Sequence, residues 1–390
     1  MNKCAVVPYE QKYNFKHFGV IDTHFHLVYD KPIEETVKIF EDIIEYFGLE
    51  GIVLQAVHHL EGGDPANNAK ALYCKSIMNE TYEDRKVYAY GNLYHYFDGR
   101  DTAEGYLHQI QLMDRLGFDG IKILDGKPGH RKKLGRPLDD PIFDGFYNYA
   151  EKKKIPIKMH VGDPSAHWDI TKISEYALKM GWFCDESFPT LQQLRDEVDG
   201  ILSKFPKLHL DLAHFYFFEN DLEACEALLE SWENVSFDLC PGNWFLWAAK
   251  QPDKWRKFFQ KYANRLYFGT DTYNFPYKKD KQDYEKNCYR IWLTRNLLEG
   301  TEAFKDANYG ELKPLNLEDS TLQKIYHNNC VELMGEPKTI NRSLAAFYTA
   351  DVLTKMEHGF VATNSEERDI HEKDNLRKVY QYFYGRSTCE

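Results

Sequence analysis

Residues 17–27 have the sequence HFGVIDTHFHL, an apolar run that surrounds two histidines and predicts a buried β-strand. Side chains alternate across a strand, so His24 and His26 lie on one face, separated by two rises of roughly 3.3 Å. Phe25, between them, faces the opposite side. Both imidazoles can therefore meet one metal ion, although histidines at this spacing also occur by chance on exposed strands.

Seven further apolar runs follow and alternate with stretches of helical periodicity, which predicts βα units with parallel strands. The runs are GIVLQAV (51–57), KVYAYGNLY (86–94), GIKIL (120–124), IPIKMHV (155–161), LHLDLAHF (208–215), NVSFDL (234–239) and RLYFGTD (265–271). Eight strands in alternation fit a closed barrel better than an open sheet, since closure removes both edges. The predicted fold is of the α/β class, a (β/α)8 TIM barrel, which takes roughly 250 residues and leaves room for an extension.

The helices are predicted from apolar positions that recur with a helical period. They cover residues 32–48, 67–81, 102–117, 141–154, 190–205 and 252–263, and two closing helices follow at 286–300 and 318–335. From Lys338 onward the chain is charged and partly helical, at residues 366–385. We therefore expect one barrel domain over residues 1–336 and a C-terminal helical appendage over residues 337–390.

The composition excludes several classes of partner. Hydrophobic residues make up 43% and charged residues 28% of the chain, as in a globular protein with a packed core. The formal net charge of −12 argues against nucleic-acid binding, which needs a basic surface, and favours a small-molecule substrate. Eight scattered cysteines indicate reduced thiols, and neither a signal peptide nor a membrane span is readable. We expect a cytoplasmic protein with no membrane partner, and leave assembly into a homo-oligomer open.

Three further candidate ligands fall at the ends of predicted strands. His160, His214 and Asp271 lie at or near the carboxyl ends of the fifth, sixth and eighth strands, where functional side chains of such barrels lie. A divalent cation such as zinc binds imidazole nitrogen and carboxylate oxygen and keeps a position open for water. Taken singly, His160 and His214 are as readily explained as hydrogen-bonded core histidines. Their joint placement at the ends of further strands favours a metal site.

Several motifs resemble the amidohydrolase superfamily, in particular the amidohydrolase-related branch that includes aminocarboxymuconate-semialdehyde decarboxylase-like enzymes. The matching segments are DTHFHL (22–27), PLDDPIFDGFYNYAEKKKIPIKMHVGDP (137–164), LSKFPKLHLDLAHF (202–215), ENVSFDLCPG (233–242), RLYFGTDTYNFPY (265–277) and LQKIYHNNCVELMG (322–335). Together they span roughly residues 17–335. Their order and spacing are far more specific than the pair of histidines alone.

The resemblance implies a barrel of the metal-dependent hydrolase type, in which His24, His26, His160 and Asp271 bind one divalent metal ion. It also implies that His214 lies beside the metal-bound water or the substrate, and that Asp271 serves as general base or proton shuttle. The family commonly has a glycine after His214, whereas this chain continues with FYFF. We therefore expect a bulky pocket wall at this place.

Lys122 lies in the fourth-strand region where binuclear relatives place a carboxylated lysine that bridges two metals. A lysine at a strand end is more often paired with a neighbouring carboxylate, so one metal ion is the expectation and a bridging role for Lys122 the alternative. Zinc is the expected ion, and the same ligands also accept manganese, iron or cobalt.

Two reactions fit this set of residues. In hydrolysis of a C–N or C–O bond in a small carboxylate-bearing or cyclic substrate, the ion activates water and Asp271 accepts its proton. His214 then stabilises the oxyanion or protonates the leaving group. The alternative is non-oxidative decarboxylation of an unsaturated or aromatic acid. A non-catalytic metal-binding barrel is the third reading, and the complete set of ligands argues against it.

Two loops supply candidate substrate contacts. The loop after the fourth strand carries Arg131 and Arg136, either of which can bind a carboxylate, although such charges also occur in solvated loops. The long loop after the fifth strand carries Asp163, His167 and Trp168 near the predicted site. Burial in a small local core is the alternative for the tryptophan.

Overall fold

The computed structural model of the chain describes residues 18–27, 31–57, 65–97, 99–273, 281–306, 309–361 and 365–387, without the side chains of 281–288. Residue 17 of the first predicted strand lies outside these ranges. So do residues 274–277, which end the matching segment at the eighth strand.

Parallel strands pair with their neighbours in chain order and curl into a barrel. The strands are β1 (Ile21–His26), β2 (Gly51–Gln55), β3 (Lys86–Asn92), β4 (Gly120–Gly126), β5 (Ile157–Val161), β6 (Leu210–Leu212), β7 (Val235–Asp238), β8 (Leu266–Tyr267) and β9 (Thr272–Tyr273). The segment 266–273 pairs with β7 through β8 and with β1 through β9, so one piece of chain joins the two edges of the sheet. The predicted (β/α)8 barrel is confirmed.

Helices follow the strands and pack their apolar faces on the outside of the barrel. They are α1 (Ile33–Phe47), α2 (Pro65–Thr81), α3 (Ala103–Leu116), α4 (Pro128–Leu134), α5 (Asp144–Lys153), α6 (Glu175–Lys179), α7 (Leu191–Lys204), α8 (Leu222–Ser231), α9 (Trp244–Lys250), α10 (Pro252–Lys261), α11 (Lys281–Glu299), α12 (Asp319–Gln323), α13 (Asn329–Met334), α14 (Arg342–Glu357) and α15 (Glu366–Ser387). A hairpin of β10 (Phe304–Asp306) and β11 (Gly310–Leu312) follows α11. None of the described helices combines the length and the apolarity that a bilayer crossing requires.

Local sequence signals explain where the helices begin and end. The Thr102 side chain accepts a hydrogen bond from the Gly105 amide at the start of α3. At the other end of α3, Gly117 has φ +98°, a left-handed conformation that glycine adopts without a steric penalty. Thr190 and Gln193 form a reciprocal capping box at the start of α7. The predicted ranges 102–117 and 190–205 therefore contain these helices together with their caps.

The inside of the barrel is apolar at one end and charged further along. Ile21, Tyr88 and Tyr267 pack with Cys330 of α13. Buried charged side chains follow on β4 to β7, namely Lys122, Lys158, Asp211 and Asp238. Buried charges are stable only when they are paired or bind an ion, so this half of the interior is where a functional site is expected.

Two sequence-based expectations need correction. The loop expected after the fourth strand contains α4, which has Pro128 in its first turn and ends at Gly135 in a left-handed conformation. The eighth strand, expected as one run over 265–271, forms only the short pairings of β8 and β9. Asp271 has φ +56°, which interrupts the extended backbone between them.

The C-terminal extension is helical, as expected, and binds tightly to the barrel. Helices α14 and α15 pack on each other and on α2. Lys70 of α2 forms a buried ion pair with Glu372 of α15. The Asn375 side chain bonds the Ile33 amide at 3.0 Å and the Lys31 carbonyl at 2.8 Å. The domain boundary expected between residues 336 and 337 stays a prediction.

Candidate metal centre

The buried side chains of His24 and His26, at the carboxyl end of β1, lie close to the buried side chain of Asp271, which follows β8. His24 Nε2 lies 2.9 Å from His26 Nε2, and His26 Nε2 lies 2.8 Å from Asp271 Oδ1. His24 Nε2 and Asp271 Oδ1 are 3.7 Å apart. Gly269 permits this approach, because a Cβ atom there would lie 2.9 Å from the Cβ of His24. The structure therefore brings together three of the four predicted ligands through their donor atoms.

Behind His24 lies a buried network of charges. His24 Nδ1 donates to Asp238 Oδ2 at 2.5 Å, and Lys158 Nζ binds that oxygen at 2.5 Å and Asp211 Oδ2 at 2.7 Å. Burial lowers the pKa of His24 well below its ordinary value, so the ring is neutral. Because Nδ1 carries the proton that Asp238 accepts, Nε2 carries the free lone pair.

Lys122 of β4 reaches the same nitrogen, with its Nζ 3.2 Å from His24 Nε2. Burial, aided by the charge of Lys158, lowers the pKa of Lys122 to about 8. In the described part of the chain Lys122 forms no ion pair with a carboxylate, which was the ordinary role considered for it. Its role as a bridge between two metals stays a prediction.

Asp271 is held from the other side by an arginine and a tyrosine. Arg290 Nη1 lies 3.1 Å from Asp271 Oδ2 and also bonds the Asp271 carbonyl, while the Tyr273 hydroxyl donates to Oδ1 at 3.0 Å. The Tyr273 ring stacks on His26 with centroids 4.7 Å apart. Burial would raise the pKa of Asp271, but Arg290 and His26 hold it well below its ordinary value. Asp271 is therefore a carboxylate of fixed orientation.

Two further histidines lie beside His24. The ring centroids of His24 and His214 are 5.4 Å apart, and those of His214 and His160 are 4.8 Å apart. His160 Nε2 donates to the Gly162 carbonyl at 3.0 Å, and His214 Nδ1 donates to the Pro241 carbonyl at 2.7 Å. Burial lowers the pKa of both, that of His160 to about 3. Each ring is thus neutral, with its free lone pair on His160 Nδ1 and on His214 Nε2.

The segment from His214 to Phe217 has positive φ angles of 48–58° at all four residues. A left-handed backbone is unfavourable by about 1–2 kcal/mol for each residue other than glycine. The turn places Phe215 in the core beneath the helices and stacks Phe217 on His214, with centroids 5.1 Å apart. Phe217 is also 5.5 Å from His160. The bulky ring of Phe217 therefore lines this wall, in agreement with the expectation from FYFF.

Two of the predicted substrate contacts lie next to His160. Asp163 Oδ1 is 3.5 Å from His160 Nε2, and Asp163 Oδ2 is 3.9 Å from His167 Nδ1. Burial would raise the pKa of Asp163, but the adjacent His160 and His167 hold it well below its ordinary value. This part of the loop after β5 is therefore adjacent to the centre.

Two of the other three predicted contacts, Arg131 and Trp168, are hydrogen-bonded within the protein. Arg131 binds Glu197 in bidentate fashion, with Nε–Oε2 and Nη2–Oε1 distances of 2.9 and 2.8 Å. Trp168 Nε1 donates to the Pro189 carbonyl at 3.0 Å, and the ring packs on the core. Arg136 is half-buried and forms no ion pair with any residue in the described ranges. For Arg131 and Trp168, substrate contact therefore has support from the sequence alone.

Several residues of the centre were not anticipated from the sequence. Lys158, Asp211 and Asp238 are charged residues inside the apolar runs IPIKMHV, LHLDLAHF and NVSFDL. A charge in a buried strand needs a partner, and that signal was available in the sequence. Arg290 gave no such signal, because an arginine on a helix is usually a solvated residue.

The comparison with protein families gives a clear result: the model described as Amidohydrolase matches residues 21–335. The chain belongs to the amidohydrolase family. The resemblance noted in the sequence motifs is thereby confirmed. No curated protein matches this amidohydrolase.

Solved structures resemble this amidohydrolase at low identity. A 2,6-dihydroxybenzoate decarboxylase from Rhizobium is 12% identical over 81% of this chain and 98% of its own, with a TM-score of 0.48. An uncharacterized TIM-barrel protein from Bordetella bronchiseptica is 14% identical over 84% and 99%, with a TM-score of 0.47. A 4-oxalomesaconate hydratase from Rhodopseudomonas palustris is 14% identical over 88% and 100%, with a TM-score of 0.45. At this distance they carry no information on the substrate of this chain.

Amidohydrolases are metal-dependent, and the residues of this chain fit a divalent cation. The His24 Nε2 lone pair and Asp271 Oδ1, both electron-rich, face each other across His26 Nε2. His26 Nδ1, in the part of the chain that the structure describes, has no hydrogen-bond partner although it is buried. Such converging donors repel one another unless a proton or a cation lies between them. Imidazole and carboxylate are ligands that zinc accepts.

A second group of donors, His24, His214 and Cys240, also lies close together. In this group His214 Nδ1 is 3.2 Å from Cys240 Sγ, but that nitrogen already donates to the Pro241 carbonyl. Burial raises the pKa of the Cys240 thiol well above its ordinary value, so the sulfur is protonated. The group around His26 and Asp271 is therefore the better candidate.

Proposed function

We propose that this amidohydrolase is a metal-dependent hydrolase that cleaves a C–N or C–O bond in a small carboxylate-bearing or cyclic substrate. The observation that supports this proposal is the convergence of His24 Nε2, His26 Nε2 and Asp271 Oδ1 within 3.7 Å. These three residues, together with His160, would hold one divalent cation. Zinc is the proposed ion because the donors are nitrogen and oxygen, and manganese, iron and cobalt are its alternatives.

The residues of the chain have separable tasks in this reaction. A bound cation supplies Lewis acidity and lowers the pKa of a water molecule to about 7. Asp271, a carboxylate held in place by Arg290 and Tyr273, would accept the proton of the nucleophile. His214, whose Nδ1–H is held by the Pro241 carbonyl, presents a free Nε2. Nε2 must take up a proton before it can donate one, so His214 acts as a relay to the leaving group and not as an oxyanion donor in its neutral form.

A second candidate is the decarboxylation of an unsaturated or aromatic acid, and the contact between Arg290 and Asp271 favours it. The guanidinium holds the pKa of Asp271 well below its ordinary value, after the opposing effect of burial, and so weakens this carboxylate as a base. Hydrolysis depends on that base, because the nucleophile must lose a proton. Decarboxylation instead needs a proton delivered to carbon, which the His214 relay supplies.

The two candidates are separated by one set of assays on the zinc-loaded full-length chain. Lactones, amides and esters that carry a carboxylate are tested for hydrolysis, and carbon dioxide release from aromatic and unsaturated acids is measured in parallel. We expect hydrolysis, and Asp271→Asn should lower kcat by about 100- to 10,000-fold. Asp253→Asn, at an exposed position of α10, is the matched control and should leave kcat unchanged.

Each outcome has a definite meaning. Carbon dioxide release without hydrolysis replaces the first candidate by the second. Stoichiometric metal with neither activity contradicts both. His26→Gln removes one proposed ligand, so a folded His26→Gln protein that keeps full metal content would contradict the proposed centre itself.

A further inference from the structure

Lys127 is a half-buried basic residue at the carboxyl end of β4. Its backbone is fixed, because its amide donates to the Leu124 carbonyl at 2.8 Å and its carbonyl accepts from the Arg131 amide at 2.8 Å. Carboxyl ends of barrel strands are where substrate-binding side chains lie. Lys127 is therefore rigidly placed on the face that carries the candidate metal centre.

The ammonium group of Lys127 has no anionic or hydrogen-bonding partner among the described residues. Its described neighbour is the Trp182 ring, whose centroid is 5.6 Å from Nζ. An ammonium group that is half-buried and has no anionic partner in the described structure can form a charge-assisted hydrogen bond with an anionic ligand.

The surroundings of Lys127 belong to the candidate site. Its charge acts on His160 and on Asp163, which border the centre. Asp163 faces His160 and His167, and forms no ion pair with Lys127 in the described structure. Trp182 lies 6.0 Å from His167 between ring centroids, so an aromatic wall bounds this side. A ligand at Lys127 would therefore lie between the metal centre and an aromatic surface.

Three neighbouring basic residues are either exposed or held by a carboxylate. Arg131 is bound on two sides by Glu197, and Lys132 bonds the Ser187 hydroxyl at 2.6 Å while lying over the Phe188 ring. Lys133 is exposed and lies over Phe97. Arg136 is also half-buried and without an ion pair in the described structure, but its charge acts on His95 and Tyr106. Lys127 is the residue of this loop whose charge acts on His160.

We propose that Lys127 is a specificity-determining residue that binds a carboxylate of the substrate, a role that rests on the proposed function of the site. One uncommitted ammonium balances one negative charge, which fits a carboxylate better than a phosphate dianion. The adjacent indole favours an acid with a planar apolar part, such as an aromatic or conjugated acid. The substrate is thus oriented with its carboxylate at Lys127 and its reacting bond toward the centre.

The test measures binding of benzoate to the full-length chain by calorimetry, in the zinc-loaded form and after zinc is removed by a chelator. Benzyl alcohol and phenyl phosphate are the comparison probes. Lys127→Met should weaken benzoate binding by about 10- to 100-fold in both forms, since a charge-assisted hydrogen bond is lost. Lys127→Arg should retain most of it, and binding of benzyl alcohol should be unaffected. Lys179→Met, at an exposed position of α6 on the same face, removes the same charge and should have no effect.

The inference is overturned if folded Lys127→Met and Lys127→Gln proteins bind benzoate as tightly as the parent, or if the parent binds no benzoate. It is equally overturned if phenyl phosphate binds more tightly than benzoate through Lys127. The zinc-free measurement separates this inference from the proposed function. Benzoate binding that depends on Lys127 in a chain that lacks metal or hydrolysis would refute the function and keep the inference. If the chain hydrolyses carboxylate substrates and Lys127→Met leaves their KM unchanged, the proposed function is kept and the inference about Lys127 is refuted.

Discussion

Single side chains of the metal centre owe their ionisation state to one or two neighbours. His24 is neutral because it is buried, and it carries its proton on Nδ1 because Asp238 accepts a hydrogen bond there. Lys158 keeps Asp238 charged, holding its pKa well below the ordinary value against the opposing effect of burial. The donor atom that faces the proposed ion is thus selected by residues that never touch it.

Replacement of Asp238 tests that selection. Asp238→Asn removes the anionic acceptor of His24 Nδ1–H and leaves Asp211 as the carboxylate paired with Lys158. We expect zinc affinity, measured by competition with a chelating dye, to fall by about 10- to 100-fold. Asp253→Asn should bind zinc as the parent does. An unaltered zinc affinity in folded Asp238→Asn would show that Asp238 does not prepare the ligand.

The buried histidines predict a pH dependence of stability in the metal-free chain. Burial lowers the pKa of His26 from 6.5 to about 4, so between these pH values the unfolded chain binds a proton that the folded chain does not. Stability therefore falls as the pH drops through this window, by up to about 3 kcal/mol for His26. His160, with a pKa lowered to about 3, acts in the same direction. Asp22, raised to about 7 by burial, acts in the opposite direction and offsets part of the loss.

The contribution of His26 is isolated by comparison of variants in urea unfolding at pH 7, 6, 5 and 4.5 with chelator present. His26→Gln should lose less stability between pH 7 and 4.5 than the parent, by more than 1 kcal/mol. His358→Gln, at an exposed position, should follow the parent. Parallel curves for His26→Gln and the parent would mean that His26 titrates alike in both states.

Secondary-structure elements end where side chains must be turned toward the site. β6 ends before His214, and four left-handed residues in succession then place one aromatic ring in the core and another over the histidines. Asp271 is likewise left-handed between β8 and β9. Strained backbone of this kind persists only where surrounding contacts determine it, and here it coincides with the proposed site.

Lys154 also has a left-handed backbone conformation but lies outside the proposed site. A substitution that relieves this conformation should therefore stabilise the protein. Lys154 caps the C-terminus of α5 with φ +54° and is exposed. Lys154→Gly should raise the free energy of unfolding by about 1 kcal/mol, because glycine adopts this conformation without a steric penalty. Lys152→Gly, at an exposed position within the same helix, should lower it by about 0.5–1 kcal/mol. Denaturant unfolding measures both, and destabilisation by Lys154→Gly would contradict the prediction.

The molecule as a whole is a barrel with the C-terminal helices α14 and α15 packed against α2 on its outside. Lys70 and Glu372, both fully buried, join α2 to α15. Glu372 Oε2 has no hydrogen-bond partner among the described residues, so this carboxylate relies on Lys70. A buried ion pair holds two segments in register more effectively than it stabilises them, since desolvation offsets much of the attraction.

Removal of either Lys70 or Glu372 should therefore lower the free energy of unfolding more than removal of both. Lys70→Met leaves the Glu372 charge buried and should lower the free energy of unfolding by about 3–5 kcal/mol. The double variant Lys70→Met/Glu372→Leu should recover most of this loss. Lys378→Met, which breaks an exposed pair with Glu34, should cost less than about 1 kcal/mol. A double variant no more stable than Lys70→Met would refute the argument.

Much of the fold and part of the centre were predictable from the sequence. The eight runs, the longer helices α1, α2, α3, α5, α7 and α10, and the shared face of His24 and His26 were anticipated, whereas α6, α8 and α9 were not. The α4 helix was missed, because the basic stretch between Lys127 and Gly135 is too short for a helical period to be recognised. The break at Asp271 was missed, because an aspartate in a left-handed conformation has no local sequence signature.

The amino-acid sequence by itself determined the alternation of strands and helices and the strand ends that carry the candidate ligands, because these depend on residues close together along the chain. The tertiary structure decided which nitrogen of each histidine is free, which carboxylate Arg290 holds and which lysine is left without a partner. His24 and Asp238 are 214 positions apart, and His26 and Asp271 are 245 apart. Contacts over such separations are set by closure of the barrel, which no local pattern of residues encodes.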